Sequence, residues 1–391
     1  MRFITCRLPD GVEDPAILSE DGRQVWPLSW LGLSYETLSE AIPFLTPQVR
    51  YGLSLAIAGI PALPVEAVTL ESPIPAPAQD VICLGINYMA HSDEAEKYSA
   101  AAFATKHEDA IYFSKRVTRA VPDGGPIEAH TDLVKKLDYE CELAVVLGRD
   151  ARDVPAGQTR DYIFGYTILN DVSARDVQTA HKQWYFGKSL DGFTPIGPCI
   201  VTADAFADYP PRLGIRSFVN GEKRQDSNTA LQIFDIDHVI AELSQGMTLK
   251  AGTIIATGTP AGVGMGMDPP QFLKPGDVVR CEIDGIGTLT NPVERFQNVI
   301  SLAEYMNCYI NEHEIALVHI LFKISSFEVH TLPVYIGQQR RTPRRIPCAV
   351  TARQAAKDAC CVRGKELERY ENWFYRADPG GHRGLRGHRP R

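Results

Sequence analysis

Three carboxylates in the middle of the chain are spaced so that they could hold a cation. Glu140 and Glu142 belong to the run LDYECELAVVL, in which apolar residues alternate with them and then continue. Residues two apart on a β-strand point to the same face, so both carboxylates project from one side of a strand whose continuation is buried. Asp171 ends a second apolar run, which begins at Ile163, and it offers a third oxygen from a neighbouring strand. Carboxylates crowded beside a core repel each other and lose hydration, and a cation relieves both costs.

The chemistry of this carboxylate set favours a hard metal ion. No histidine lies in the cluster, and Cys141 is expected to point to the opposite face of its strand. Oxygen-only ligation is typical of Mg²⁺, with Mn²⁺ and Ca²⁺ as alternatives, and it argues against structural zinc. The spacing alone leaves a second interpretation open, in which the two glutamates form an exposed acidic strand face.

A histidine and a glutamate that follow a short apolar run could act as a base. The run from Val81 to Leu84 predicts a buried strand, and the polar segment GINYMAHSDEAEKY comes after it. His91 and Glu94 are three residues apart, which makes them neighbours on one face if the segment is helical. A carboxylate beside an imidazole orients the ring and raises its basicity. On spacing alone, a solvated helix face with an incidental pair is the simpler interpretation.

Several motifs in a fixed order resemble those of the fumarylacetoacetate hydrolase family. They are the ExE pair, LNDVSARD, GKSLDGFTPIGP and TGTPAGVG, and they lie between about Asp80 and Pro292. Several separate motifs in the right order are more specific than any one of them. The resemblance implies that Glu140, Glu142 and Asp171 hold a divalent metal.

The same resemblance implies roles for residues around the metal. The pattern GxNYxxHxxE matches a mobile lid segment whose His91–Glu94 pair acts as the base and which excludes water when it closes over the substrate. Lys188 of the GKSLDGF motif is expected near the metal and a substrate oxygen, where an ammonium group stabilises an enolate oxyanion. Asp191 is expected to support Lys188. Without the motif, Lys188 would be interpreted as a surface residue before a turn.

Four further residues are candidates for binding the substrate. Lys115 stands where the family often places a lysine-containing loop, although Arg116 occupies the position of the usual proline. Arg175 and Gln178 follow the third carboxylate closely in the sequence. Thr259, in the TGTPAGVG turn, is expected to reach the substrate carboxylate together with backbone N–H groups of that turn.

The predicted fold class is α+β and mostly β. The family resemblance implies a mixed β-sandwich roll with short helices and with the metal at its open mouth. The sequence predicts a small N-terminal module over residues 1–72 and the catalytic domain over 73–297. Residues 298–391 form a basic, Arg-rich tail with no clear amphipathic pattern. The tail is expected to be disordered, with a nucleic-acid-binding extension and a gene-model artefact as alternatives.

Composition and charge restrict the partners. Hydrophobic residues make up 44% of the chain and charged residues 23%, which is ordinary for a globular protein. No apolar run approaches the ~18 residues of a membrane helix, and a net charge of −8 does not suggest nucleic acid. The N-terminus lacks the apolar segment of a secretory signal, and nine cysteines without CxxC pairs fit a cytoplasmic location. A homodimer is expected because family members commonly dimerise.

The resulting hypothesis is a Mg²⁺-dependent hydrolase that cleaves a C–C bond in a 2-oxo or 1,3-dicarbonyl acid, such as an acylpyruvate or a fumarylacetoacetate-like compound. The His–Glu pair favours hydrolysis, because cleavage by water needs a base. Decarboxylation or keto–enol isomerisation of a 2-oxo diacid such as oxaloacetate are alternatives, because all three reactions share an enolate. A non-catalytic metal-binding scaffold is the alternative of another class, and the complete set of candidate side chains argues against it.

Overall fold

The computed structural model describes residues 1–103 and 107–295. The chain divides into two units, Met1–Phe296 and Gln297–Arg391, and all described residues belong to the first. The predicted tail at 298–391 lies outside the described residues.

Eighteen strands occur in the described part of the chain, and most of them have three to eight residues. In chain order they are β1 (Arg2–Arg7), β2 (Glu13–Leu18), β3 (Gln24–Pro27), β4 (Leu63–Pro64), β5 (Thr69–Glu71), β6 (Val81–Gly85), β7 (Ile111–Lys115), β8 (Ile127–Glu128), β9 (Leu137–Asp138), β10 (Cys141–Leu147), β11 (Ile163–Asn170), β12 (Ser173–Ala174), β13 (Ile196–Thr202), β14 (Gly214–Val219), β15 (Glu222–Asn228), β16 (Ile254–Ala256), β17 (Val278–Ile283) and β18 (Gly287–Glu294).

Six α-helices accompany these strands within the same residues, and most of them are short. They are α1 (Leu38–Ala41), α2 (Pro47–Ala56), α3 (Met89–Phe103), α4 (Arg175–Ala180), α5 (Tyr185–Lys188) and α6 (Ile236–Leu243). The longest, α3, is interrupted at Ser99, whose backbone is extended.

Two large sheets form the framework of the described chain. The larger has eleven strands in the order β4-β3-β2-β1-β13-β11-β10-β16-β6-β7, with β5 paired to β1. The second has five strands in the order β15-β14-β17-β18-β8, and β9 and β12 form a small separate ladder. Strands dominate and the helices are short, so the predicted class, α+β and mostly β, is confirmed. Because β1 pairs with β13, strands of the predicted N-terminal module extend the larger sheet.

Strand β10 lies inside the larger sheet, and its two faces contribute to different cores. Leu143 and Val145 belong to the core that includes strands of the second sheet. Ala144 and Val146 belong to the other core, which includes residues of α1 and α2. This alternation is the period of two expected for a strand with both faces covered. Glu142 shares its face with Ala144 and Val146. On this face the acidic residue therefore comes first along the chain, and the apolar residues follow it.

Local sequence signals explain several element boundaries. The Asn220–Gly221 pair has φ of 52° and 82° and joins β14 to β15, as expected for a tight hairpin. Helix α2 begins with Pro47 in its first turn, and the Thr46 hydroxyl caps it by accepting a hydrogen bond from the Val49 N–H. The Asp235 carboxylate caps α6 in the same way.

A glycine in β11 provides a test of the packing between β11 and β13. A Cβ at Gly165 would lie 2.3 Å from the Val201 carbonyl oxygen, which is fixed backbone. We expect Gly165→Ala to destabilise the fold by roughly 1–3 kcal/mol, because overpacking forces the strands apart. Thermal denaturation should show a Tm lower by several degrees.

Gly52→Ala is the matched control. A Cβ at Gly52 in α2 meets no atom within 4 Å, so alanine should leave the Tm unchanged or raise it. A Gly165→Ala variant as stable as Gly52→Ala would contradict this description of the β11–β13 contact.

Candidate active site

The three predicted metal ligands come together at the ends of two paired strands. Glu140 precedes β10, Glu142 lies on it, and Asp171 follows β11. The antiparallel register places Cys141 opposite Asn170, and the Asp171 N–H donates to the Glu140 carbonyl oxygen at 2.8 Å. Each residue offers one carboxylate oxygen, and these three oxygens lie within 4.8 Å of one another. All three residues are buried, with exposed fractions of 4% or less, which excludes the interpretation as an exposed acidic face.

Two of the three carboxylates have cationic partners. The Lys188 Nζ lies 2.5 Å from Glu140 Oε2 and 2.6 Å from Asp171 Oδ2. Arg175 Nη2 lies 2.7 Å from Glu140 Oε1. Burial acts to raise the pKa of Glu140, but Arg175 and Lys188 outweigh it and bring that pKa well below its usual value. Burial also opposes the charge of Lys188, and Asp171 and Glu140 overcome it and raise the pKa of Lys188 to about 12.

Glu142 is the carboxylate without a cation beside it. Its Oε2 accepts a hydrogen bond from the Gly258 N–H at 2.8 Å. Burial, with the neighbouring charges of Asp171 and Glu140, raises the pKa of Glu142 well above its usual value. The negative charge of the cluster is therefore only partly compensated by the protein.

These observations fit a hard divalent cation. The three acids are buried, their oxygens converge, and Glu142 forms no ion pair within the described residues, while repulsion by Asp171 and Glu140 raises its pKa. The donor set is oxygen only, as Mg²⁺ and Mn²⁺ prefer. Glu140, Glu142 and Asp171 are therefore the residues that would hold the ion.

The segment that the sequence predicts as a lid begins immediately after β6. Ile86 has φ of 54°, a conformation that is strained for a β-branched residue, and it turns the chain from the strand into α3. Asn87 holds this turn, because its side-chain amide donates to the carbonyl oxygens of Phe234 and Thr257. The turn places α3 over the acidic cluster.

His91 and Glu94 both lie at the cluster, but they are not hydrogen-bonded to each other. His91 is 4% exposed and lines the same cavity as Glu140 and Glu142. Its Nδ1 has no hydrogen-bond partner among the described residues. The nearest Glu94 oxygen is 3.7 Å from Nδ1, which exceeds hydrogen-bond distance. Both Glu94 oxygens instead lie 3.0 Å from the Gly262 backbone nitrogen.

The cavity between the lid and the acidic cluster has a polar floor and an aromatic roof. The floor contains Glu140 and Glu142 with His91 and Lys188. The roof contains Phe103, Phe113 and Trp184, whose rings contact each other with the indole in the centre. The free volume of this cavity is only about 10 Å³, which is the space of roughly one water molecule.

Three of the four predicted substrate-binding residues line this cavity, namely Arg175, Gln178 and Thr259. Arg175 Nη1 donates to Gln178 Oε1 at 3.1 Å, whereas Arg175 Nη2 has no aligned hydrogen bond in the described part of the chain. The Thr259 hydroxyl donates to the Cys141 carbonyl oxygen and accepts from the Gln225 amide. Thr259 is thus already paired on both sides.

Lys115 is placed differently from the prediction. It is fully buried and is absent from the cavity wall. Its ammonium donates to Asp171 Oδ1 and to the carbonyl oxygens of Val172 and Lys188. All three donors are used, so Lys115 positions Asp171 from behind instead of reaching into the cavity.

Asp191 is exposed and is not a partner of the Lys188 ammonium, so the expected support from Asp191 was wrong.

Sequence reasoning missed two residues that shape the site. Asp138 accepts hydrogen bonds from Arg175 Nε and from the N–H groups of Gly264 and Met265. Its position two residues before Glu140 was a usable signal, because it extends the ExE alternation. Trp184 lies in a segment without regular periodicity, and nothing in that pattern places its ring over the cavity.

A family model described as the C-terminal region of fumarylacetoacetate (FAA) hydrolase matches residues 80–294. The chain belongs to the fumarylacetoacetate hydrolase family. The match begins just before β6 and ends with β18, so it contains every residue of the site described above. Among the described residues of this family member, no helix is both long and apolar enough to cross a membrane.

Known relatives of this family extend the comparison. Oxaloacetate tautomerase YisK of Bacillus subtilis is 43% identical over 226 residues, which are 58% of this chain and 73% of YisK. A fumarylacetoacetate hydrolase structure from Exiguobacterium antarcticum is 37% identical with a TM-score of 0.66, covering 76% of this chain and 100% of that one. The maleylpyruvate hydrolase of Sphingobium sp. SYK-6, solved with manganese(II) and pyruvate, is 28% identical with a TM-score of 0.60 over the same shares.

The carboxylate without a counter-charge provides a test of metal binding. We expect Glu142→Gln to abolish Mg²⁺ binding in calorimetry and the rise in Tm that Mg²⁺ causes. The metal-free variant should be at least as stable as the unaltered chain, because the cost of burying an acid beside Asp171 and Glu140 is gone while the amide oxygen still accepts from Gly258.

Glu66→Gln is the control, since this carboxylate is exposed and distant in sequence from the cluster. Its Mg²⁺ affinity should equal that of the unaltered chain. Absence of Mg²⁺ and Mn²⁺ binding by the unaltered chain would contradict the metal assignment.

Proposed function

We propose that this protein is a metal-dependent enzyme that interconverts the keto and enol forms of a 2-oxo acid such as oxaloacetate. The observation that carries the proposal is one small cavity faced by a buried imidazole with an unpartnered nitrogen and by a buried ammonium group. The reaction moves one proton from carbon to oxygen, so it needs a group that exchanges protons and a cation that stabilises the oxyanion. The similarity to the tautomerase YisK supports this reaction.

The acidic cluster would hold the cation that acts as the electrophile of the site. A hard divalent cation held by Glu140, Glu142 and Asp171 would polarise the carbonyl group of a 2-oxo acid as a Lewis acid. Lys188 adds a permanent positive charge at the same place, since Asp171 and Glu140 keep its pKa above the usual value. A fixed ammonium group in a buried site stabilises negative charge that develops on the substrate oxygen.

Arg175 and Gln178 are suited to orient the substrate. They are hydrogen-bonded to each other in the cavity wall, and Arg175 is held by Asp138 through Nε. Arg175 Nη2 is paired with Glu140 Oε1 at 2.7 Å, and its second N–H is the donor proposed for a substrate carboxylate. A guanidinium group already fixed on two sides loses little side-chain freedom on binding.

His91 is the group proposed to carry the proton. Its ring is buried under α3, and Nδ1 is free to accept a proton from the carbon next to the substrate carbonyl. Returning that proton to the oxygen completes the tautomerisation without a net change of atoms. The aromatic roof of Phe103, Phe113 and Trp184 limits access of water, which favours proton transfer over hydrolysis.

Hydrolysis of a C–C bond in an acylpyruvate or fumarylacetoacetate-like acid is the second candidate. The proximity of Glu94 to His91 favours it, because a carboxylate near an imidazole assists deprotonation of water. The similar structures named as hydrolases also support it. Decarboxylation of oxaloacetate uses the same cavity groups. We further propose that the protein is a homodimer and works in the cytoplasm; the five free buried cysteines in the described chain support the location.

A product-resolved assay tests the proposed reaction. With Mg²⁺, the purified protein should accelerate the loss of enol absorbance from freshly dissolved oxaloacetate without a matching release of CO₂. Acetylpyruvate and fumarylpyruvate should be cleaved more slowly than oxaloacetate is tautomerised. If acetylpyruvate yields pyruvate as fast as oxaloacetate is tautomerised, the protein is a hydrolase instead. If oxaloacetate itself yields pyruvate at that rate, the protein is a decarboxylase.

His91 provides the test of the mechanism. We expect His91→Ala to lower the tautomerisation rate by roughly 10²–10⁴, the usual contribution of a general acid–base group. Mg²⁺ affinity should stay unchanged, because His91 is not a proposed ligand. The control is His238→Ala on α6, whose side chain is exposed. Full activity in His91→Ala would exclude His91 as the proton carrier.

A further inference from the structure

Helix α3, the predicted lid, makes a charged hydrogen bond to the glycine-rich turn through Glu94. Both Glu94 oxygens lie 3.0 Å from the Gly262 nitrogen, whereas the closer one is 3.7 Å from His91 Nδ1. The Glu94 side chain is 22% exposed, so this charged hydrogen bond is partly shielded from water. The strongest polar contact of Glu94 is therefore with the glycine-rich turn and not with the histidine beside it.

Gly262 is a fixed anchor for this contact. It has φ of 105°, and a Cβ there would lie 2.1 Å from the Arg224 carbonyl oxygen on β15. The same turn is joined to β10, because the Thr257 N–H donates to the Leu143 carbonyl oxygen and the Thr259 hydroxyl donates to that of Cys141. The turn that contains the anchor is thus hydrogen-bonded to the strand that carries Glu142.

We propose that Glu94 is a positioning residue that latches α3 onto the glycine-rich turn and so holds His91 over the acidic cluster. This role rests on the proposed function, since it concerns the placement of the proposed proton carrier. It differs from the sequence-based expectation, in which Glu94 acts on the imidazole itself. Because α3 contributes both residues, releasing Glu94 from Gly262 weakens the attachment of the segment that carries His91, which the apolar packing of Ala95 and Phe103 still supports.

Gly266 offers a way to break the latch without removing the charge. A Cβ at Gly266 would lie 2.6 Å from Glu94 Cδ and 2.7 Å from Oε2. The carboxylate is the far end of a flexible side chain, so it can move away at little cost to the fold. Gly266→Ala therefore displaces Glu94 from Gly262 but leaves a carboxylate near His91.

The experiment compares hydrogen exchange of the lid with steady-state kinetics. In Glu94→Ala and Gly266→Ala, amide exchange within residues 89–103 should accelerate by roughly 10- to 100-fold, the effect of losing a hydrogen bond to a charged group. KM should rise by about tenfold with kcat changed less, because a smaller fraction of the protein is in the closed form. Glu94→Gln should remain closer to the unaltered chain, since an amide oxygen still accepts from Gly262.

Glu96→Ala is the matched control, because Glu96 is an exposed acid in the same helix, and it should change neither exchange nor KM. Unchanged lid exchange in both Glu94→Ala and Gly266→Ala would overturn the latch. A Glu94→Gln variant as slow as Glu94→Ala, with a pH profile shifted toward acid and unaltered exchange, would also overturn it in favour of direct action on His91. Accelerated exchange in a protein that lacks tautomerase activity even when unaltered would support the latch and refute the proposed function.

Discussion

Burial of four carboxylates in one place is the constraint on which the rest of the site depends. Glu140, Glu142, Asp171 and Asp138 are each 4% exposed or less, and three cations, Lys188, Lys115 and Arg175, face them. The four formal negative charges exceed the three positive ones by one. Charges removed from water need partners with good geometry, which explains why each cation contacts two or more acceptors. Glu142 is the one of these four acids that forms no ion pair with the three cations, and a divalent cation would supply the missing positive charge.

The glycine-rich turn TGTPAGVGMGM donates backbone hydrogen bonds to acids in and near the site. Its backbone N–H groups donate to three carboxylates, with Gly258 on Glu142, Gly262 on Glu94, and Gly264 and Met265 on Asp138. Backbone donors reach a carboxylate closely only where side chains do not intervene. A Cβ at Gly264 would lie 2.7 Å from an Asp138 oxygen. The abundance of glycine in this segment follows from its position against these acids, and not from binding of a nucleotide phosphate.

The sequence predicts the parts of this arrangement that depend on local periodicity. Alternation along β10 identifies Glu140 and Glu142 as one face, and the Asn220–Gly221 pair identifies a hairpin. The sequence does not predict which of several available partners a polar group contacts. Lys115 contacts Asp171 from behind because β7 runs at the edge of the sheet beside β6. Glu94 lies on Gly262, 168 positions later, and Trp184 lies over Gly85. Such long-range choices are set by the sheet order, which no local pattern encodes.

Strained backbone and unpaired buried polar atoms in the described chain cost folding free energy, and they mark the part of the fold that serves a ligand. Ile86 adopts a conformation that costs about 1–3 kcal/mol, and a buried polar atom without a partner costs about 1–3 kcal/mol more. His91 Nδ1 is such an atom, and it faces the cavity. Arg175, which also lines the cavity, is paired through Nη2 with Glu140 Oε1 at 2.7 Å but without an aligned hydrogen bond. A fold selected only for stability would pair the imidazole nitrogen and align the guanidinium group. One accepts a proton and the other donates to an anion, and a 2-oxo acid offers both an acidic C–H bond and a carboxylate. These two groups thus match the chemistry of the proposed substrate more specifically than the acidic cluster does, because the cluster accounts only for a bound cation.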